Sequence, residues 1–268
     1  MPGYRQRALQ WSALCVWVLV SLAAVAGQDQ ACSVSGYDAV VRVEHVFDGD
    51  TVRLEDGRKL RLMGINTPEL HPPGYAQRAN AAAEPLAERA RDALAELLGE
   101  SRRLHLVLGT EREDRYGRLL AHAYLPDGGN VAGRLLASGL GFAIVVPPNT
   151  NLADCYVRSE QLARGSKRGV WGEDYFAPVP ATEITASTAG FRLISATIQS
   201  VSRRGDTTWL KLSNVLSLRI RDADLAYFQG IDLASWRGRE VLARGWLTPR
   251  GGRVSVRIRH PSALELTR

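Results

Sequence analysis

At 268 residues, with 45% hydrophobic and 23% charged positions, the chain has an ordinary globular composition and room for two modest domains, which excludes disorder over most of its length. Its formal net charge is +6, and the positive side is carried almost wholly by arginine, whose planar fork of donors suits phosphate better than lysine does. A biased genome composition would produce the same arginine excess, so charge alone does not name a partner.

The chain opens with the layout of a secretory signal over residues 1–26: Arg5 and Arg7, an apolar run, then Ala24-Val25-Ala26 as a small-x-small cleavage site. The competing reading is an uncleaved membrane anchor, since an apolar run of about 18 residues just spans a bilayer. Cleavage removes Cys15 and leaves Cys32 and Cys155, which either pair in an oxidising compartment or stay as free thiols.

Residues 41–47, 51–54 and 58–65 have the character of short strands, with Glu55-Asp56-Gly57 as a hairpin signal between the last two. A turn centred near Asp56 places Arg61 roughly opposite Asp50. Gly64 lets the chain bend, and Pro68 holds Thr67 extended, which aims Glu69 back at the same place. Calcium takes oxygen ligands, and Asp50, Asn66 and the carbonyl of Thr67 supply them. Arginines neutralise charge on phosphate oxygens and a carboxylate deprotonates water, so this stretch reads as a site for attack on a phosphodiester.

A loop over residues 71–83 borders the pocket. The spacing of Leu86, Ala90, Ala93, Leu94, Leu97 and Leu98 predicts a helix over residues 84–98, ended by Gly99. Strands are expected over residues 104–108 and 119–125, with Asp114-Arg115-Tyr116-Gly117-Arg118 as a turn that carries a second arginine to the strand mouth. Residues 131–139 and 151–164 read as helices. His105 and His122 lie inside strand-like runs without metal-ligand spacing and read as structural. Five strands with three helices around them predict an OB-type barrel in an α+β, mainly β chain.

The motifs DGDT, LRLMGINTPE, DRYGR, Pro148-Asn149, Ser159-Glu160 and Gly169-Val170-Trp171 resemble the staphylococcal-nuclease-like (thermonuclease) family, in order and over residues 41–171. The resemblance implies a calcium-dependent nuclease that cuts the bond to the 5′ oxygen of DNA and RNA. It places Asp50, Asn66 and Thr67 at the metal-ligand positions, Arg61, Glu69 and Arg118 at the catalytic ones, and Asp48 beside the metal. Well-known secreted members carry aspartate where this chain has Asn66, so one negative charge is missing. They also carry tyrosines, which pack on the nucleotide, where this chain has Ile144 and Val146. Stacking of a base on an aromatic ring is worth about 1–3 kcal/mol, so nucleotide binding is expected to be weaker or arranged differently.

Residues 177–189, rich in Pro, Ala and Thr, read as a linker between a nuclease domain at 27–176 and a second domain at 190–268. Strands over residues 191–201, 207–212 and 216–221, a short helix over 224–228, and a hairpin of 241–247 with 254–258 resemble a second, smaller OB-like barrel. Residues 27–189 hold 18 Lys and Arg against 22 Asp and Glu, whereas residues 190–268 hold 14 against 6. The basic second domain is therefore expected to hold a polyanion, through Arg219, Arg221, Arg257 and Arg259 with Trp209, Trp236 and Trp246 as stacking partners. Two functions stand: an exported calcium-dependent endonuclease, or a catalytically weak tandem OB protein that binds nucleic acid.

Overall fold

The computed structural model describes residues 32–71 and 82–267. The expected signal or anchor segment, and residues 72–81 of the expected loop, lie outside them. Among the described residues no helix is long and apolar enough to cross a membrane.

The first half of the chain folds as β1 (Ala39–Val46), β2 (Thr51–Leu54), β3 (Lys59–Leu62), β4 (Ile65–Asn66), α1 (Ala87–Leu98), β5 (Arg103–Glu113), β6 (Leu119–Tyr124), α2 (Val131–Ala137), β7 (Phe142–Ala143) and α3 (Ala153–Gly165). Strands β1, β2, β3, β6 and β5, in that order, close a barrel. Period-2 alternation drives it: Val52, Leu54, Leu60, Leu62, Leu104, Leu106, Ala121 and Ala123 all turn inward and are buried. Each buried leucine contributes about 2 kcal/mol of apolar transfer.

The strand expected over residues 58–65 is in fact two. Gly64 has φ +87°, and a Cβ there would run into the ring of the fully buried Tyr156. The chain therefore leaves the barrel at Gly64, and β4 pairs instead with β7, Ile65 opposite Ala143 and Asn66 opposite Phe142. Helix α1 starts at Ala87, later than expected, because Leu86 holds φ 65°. It packs Ala90, Leu94 and Leu98 on the barrel. The Asn130 side chain accepts the Gly133 N–H at 2.8 Å and caps α2. Cys32 and Cys155 are joined as a disulfide, with Cα atoms 5.5 Å apart, which pins the chain before β1 to α3. His122 is buried and bonds to the Tyr156 hydroxyl at 2.7 Å, and His105 packs beside Tyr37.

The second half comprises β8 (Val179–Pro180), β9 (Gly190–Thr197), β10 (Ser200–Arg204), β11 (Thr207–Lys211), β12 (Leu216–Arg221), α4 (Asp222–Leu225), β13 (Glu240–Arg250), β14 (Arg253–Arg257) and β15 (Leu264–Leu266). Its sheet runs β10-β11-β12-β14-β13-β9-β8, with β15 also on β13. The single strand expected over 191–201 is divided into β9 and β10. The step from β12 to β14 is parallel, as is the step from β3 to β6 in the first barrel. Residues 177–189 do not form a free linker: β8 pairs with β9, and Ala181 and Ile184 are buried in the core of the second sheet.

The two halves share a hydrophobic cluster. Phe142 and Val170 from the first meet Leu193 and Leu242 from the second, with Trp171, Phe176 and Phe191 packed around them.

Candidate active site

The turn between β1 and β2 presses closely on its neighbours: a Cβ at Gly49 would sit 2.7 Å from Ala90 and 2.8 Å from a Thr67 methyl carbon. Glycine there seats the turn against α1 and brings Asp50 to Thr67. The buried Asp50 carboxylate accepts the Thr67 N–H at 2.9 Å and the Arg61 guanidinium at 2.8 Å through one oxygen, and the Thr51 hydroxyl at 3.0 Å through the other. Asp48 accepts the Asp50 N–H at 2.9 Å.

The register differs from expectation by one residue, since Thr51 rather than Asp50 stands opposite Arg61. The ion pair forms nonetheless, because the buried carboxylate reaches across. Arg61 also donates to the carbonyls of Leu62 and Ile65, at 2.8 and 2.9 Å, and to the Asn66 side-chain oxygen at 3.4 Å. One guanidinium thus gathers Asp50, Asn66 and the backbone of β4.

Glu69 stands at the edge of this group. Burial, then the charges of Asp50 and Asp48, push its carboxyl up to about 7 against the opposing pull of Arg61, and Glu84 pushes the same way. Asp48 is likewise pushed up to about 7 by burial and by Asp50. Glu84 is a neighbour that the sequence did not reveal: its carboxylate accepts the Glu69 N–H at 2.9 Å, and its own N–H donates to the Glu69 carbonyl at 2.9 Å. A lone glutamate beyond a loop carries no pattern that would single it out.

Arg118 lies on the same face of the barrel. Leu120 stands opposite Arg61 in the parallel pairing of β3 and β6, and Arg118 precedes it by one alternation. Its guanidinium is held at 2.7 Å by Asp114 of its own turn, beside the exposed ring of Tyr116. The structure therefore gathers Asp48, Asp50, Arg61, Asn66, Thr67 and Glu69 into one cluster and sets Arg118 apart, on the same side but engaged elsewhere. Ile144 and Val146 stand on the segment after β7 and offer no aromatic face, whereas Tyr116 does.

The donor set fits a hard divalent cation. The half-buried Asp48 and Glu69 carboxyls are held up to about 7 first by burial and then by neighbouring carboxylates, so a cation beside them would favour their ionised forms. Among the described residues no three His, Cys, Asp or Glu side chains gather as a metal cage, so the oxygens on offer are mixed: carboxylate, amide and backbone carbonyl.

Comparison with known proteins follows the same residues. The family described as staphylococcal nuclease homologue matches residues 59–173. The thermonuclease of Staphylococcus intermedius is 31% identical over 133 residues, which are 48% of this chain and 74% of that protein. This chain belongs to the staphylococcal nuclease homologue family. Endonuclease YncB of Bacillus subtilis (strain 168) is 34% identical over 138 residues, covering 50% of this chain and 62% of the relative. The SPbeta prophage-derived endonuclease YokF of the same organism is 33% identical over 139 residues, with 50% and 44% covered. The chain thus spans less than two thirds of either Bacillus relative. The family match stops at residue 173, so the second sheet stands outside it.

In the basic second unit several arginines are already paired. Arg257 and Arg259 both bond to Asp224, which is buried, and Arg259 also donates to the Pro147 carbonyl. Arg221 bonds to Asp206 at 3.1 Å. Trp236 packs against the core of the sheet. On the outer sheet face, Trp209 stands opposite Arg219 and Lys211 opposite Ser217, while Trp246 is 44% exposed. Alternation places Arg250 and Arg253, which are paired across the strands, on that face too.

Proposed function

We propose that this protein is a nuclease that hydrolyses phosphodiester bonds of DNA and RNA, with calcium as its metal. The observation that carries this reading is the convergence of Asp50, Arg61, Asn66 and Thr67 beside a glutamate whose carboxyl is pushed up to about 7. A base with a pKa near the working pH combines a useful ionised fraction with real affinity for the proton.

In the proposed reaction Glu69 takes a proton from water, the water oxygen bonds to phosphorus, the phosphorus–O5′ bond breaks, and the leaving O5′ oxygen takes a proton from solvent to become a hydroxyl. Arg61, its guanidinium already oriented by Asp50, Asn66 and two backbone carbonyls, offers its remaining Nε–H to a phosphate oxygen. Arg118 turns from the partly exposed Asp114 to a second phosphate oxygen, where the negative charge that builds up in the transition state competes for it. Asp50, Asn66 and the Thr67 carbonyl would hold calcium, with Asp48 behind them, and the ion supplies charge stabilisation to the phosphoryl oxygens. Asn66 ligates through its amide oxygen and brings no charge.

The second unit we read as an OB-type barrel whose outer face, with Arg219, Lys211, Arg250, Arg253, Trp209 and Trp246, takes the nucleic acid that the poorly aromatic nuclease face holds weakly. The disulfide supports an exported protein, since such bonds persist in oxidising compartments. Asn66 and the absent tyrosines favour a second reading, a nucleic-acid-binding protein without catalysis.

Purified protein incubated with single- and double-stranded DNA and RNA separates the two. The nuclease reading expects cleavage with calcium that a chelator stops. Binding without cleavage at any calcium concentration leaves only the second.

A further inference from the structure

We propose that the second unit completes the nuclease site, and that Arg244 on β13 is its positioning residue. This rests on the nuclease reading above, but it concerns a residue outside the region that matches the family.

Arg244 crosses from the second unit into the first and bonds to both oxygens of Glu160 on α3, at 2.7 and 2.8 Å. Both side chains are nearly inaccessible, at 10% and 4% exposure. Glu160 in turn accepts the Ala143 N–H at 2.7 Å, and Arg244 donates to the Ala143 carbonyl at 3.3 Å. Together they take both backbone polar groups of one residue of β7. On its other edge, β7 pairs with β4: Ala143 with Ile65, Phe142 with Asn66.

That pairing leads directly to the site. The Ile65 carbonyl is one of the acceptors that orient Arg61, and Asn66 is a proposed calcium ligand. Phe142 is wedged against Phe191 of the second unit at 5.3 Å between ring centres. Two-residue strands have little pairing of their own, so what holds β4 and β7 at a set height is the material behind them. Here that material is the Arg244–Glu160 pair and the phenylalanine stack. Another contact reaches the opposite rim: Glu84, clipped to Glu69, lies 3.3 Å from the Tyr175 hydroxyl and 3.9 Å from Arg192 of the second unit. The second unit thus reaches Asn66 through β7 and Glu69 through Glu84.

The test uses the full chain with Arg244→Lys and Arg244→Ala. Each variant is checked for folding by circular dichroism, then measured for kcat and KM on single-stranded DNA and for calcium binding by titration calorimetry. Arg244 makes all three contacts through Nη1, and lysine keeps the charge but its side chain is one atom shorter, so its ammonium falls short of that position. Supporting partners of a metal ligand typically change affinity or activity by about 10–100-fold. Arg244→Lys is expected to lower kcat about tenfold and weaken calcium binding several-fold while KM stays within about twofold. Arg244→Ala leaves a buried carboxylate unpaired and can fail to fold, in which case Arg244→Lys decides. A folded Arg244→Lys with wild-type kcat and wild-type calcium affinity overturns the proposal. If wild-type protein binds calcium but cuts nothing, the nuclease reading falls, and the calcium titration of Arg244→Lys still judges the role of Arg244. If wild-type protein neither cuts nor binds calcium, both fall.

Discussion

The Asp50 carboxylate and the Arg61 guanidinium meet at 2.8 Å although Thr51 is the residue opposite Arg61. Both side chains are nearly buried, and each has further partners: Thr67 N–H and the Thr51 hydroxyl for the carboxylate, two carbonyls and Asn66 for the guanidinium. A group so fully bonded is pre-oriented before substrate arrives, which is where electrostatic catalysis gains most.

Replacing the proposed base tests the chemistry directly. Glu69→Gln keeps the shape and the backbone clip to Glu84 but cannot accept a proton. It is expected to lower kcat by at least about a hundredfold with a melting temperature no lower than that of the wild type, as loss of a general base with a raised carboxyl does. Full activity in this variant removes Glu69 from the mechanism.

Asn66→Asp adds a carboxylate among the proposed calcium ligands. The calcium concentration for half-maximal cleavage should fall several-fold, on the principle that ligand charge tunes affinity. An unchanged or higher requirement, measured at fixed pH and salt, would count against Asn66 as a ligand.

The raised carboxyls of Asp48 and Glu69 predict how calcium affects stability. Both are held up to about 7 in the folded protein, against ordinary values of 3.8 and 4.5. As pH rises between the two ranges, the unfolded chain has already lost its protons while the folded one must still release them, so the calcium-free fold loses stability. A bound cation relieves that repulsion. The melting-temperature gain from calcium should therefore be larger at pH 8 than at pH 5 by differential scanning fluorimetry, and equal gains would contradict a cation beside these groups.

The disulfide closes a loop between residues 123 positions apart. Cys32→Ser with Cys155→Ser should lower unfolding stability by about 4 kcal/mol in urea titrations, mainly by enlarging the unfolded ensemble. A loss below about 1 kcal/mol would mean that the pinned segment contributes little.

Much of the first barrel was legible because its signals are local. The Asp56-Gly57 turn, the alternating leucines and the glycine at position 64 act over a few residues, and the chain between Asp50 and Glu69 is short enough that its turns nearly dictate convergence. Where the reading slipped, tertiary contact was the cause: the Tyr156 ring under Gly64 ends β3 early, and the pairing of β8 with β9 draws the supposed linker into the second sheet.

Sequence by itself determined the two-part β organisation, the charged cluster between Asp48 and Glu69 and the basic surplus of the second half, since periodicity, turn chemistry and summed charge do not depend on who meets whom. Which charges remain available was decided only by the fold. Arg257 and Arg259 surround Asp224, Arg118 rests on Asp114, and Arg244 finds Glu160 across 84 residues. An arginine at an alternating strand position looks the same in sequence whether it faces water, substrate or a buried carboxylate. Packing makes that choice, because in a low-dielectric interior a charge is tolerable only beside its partner.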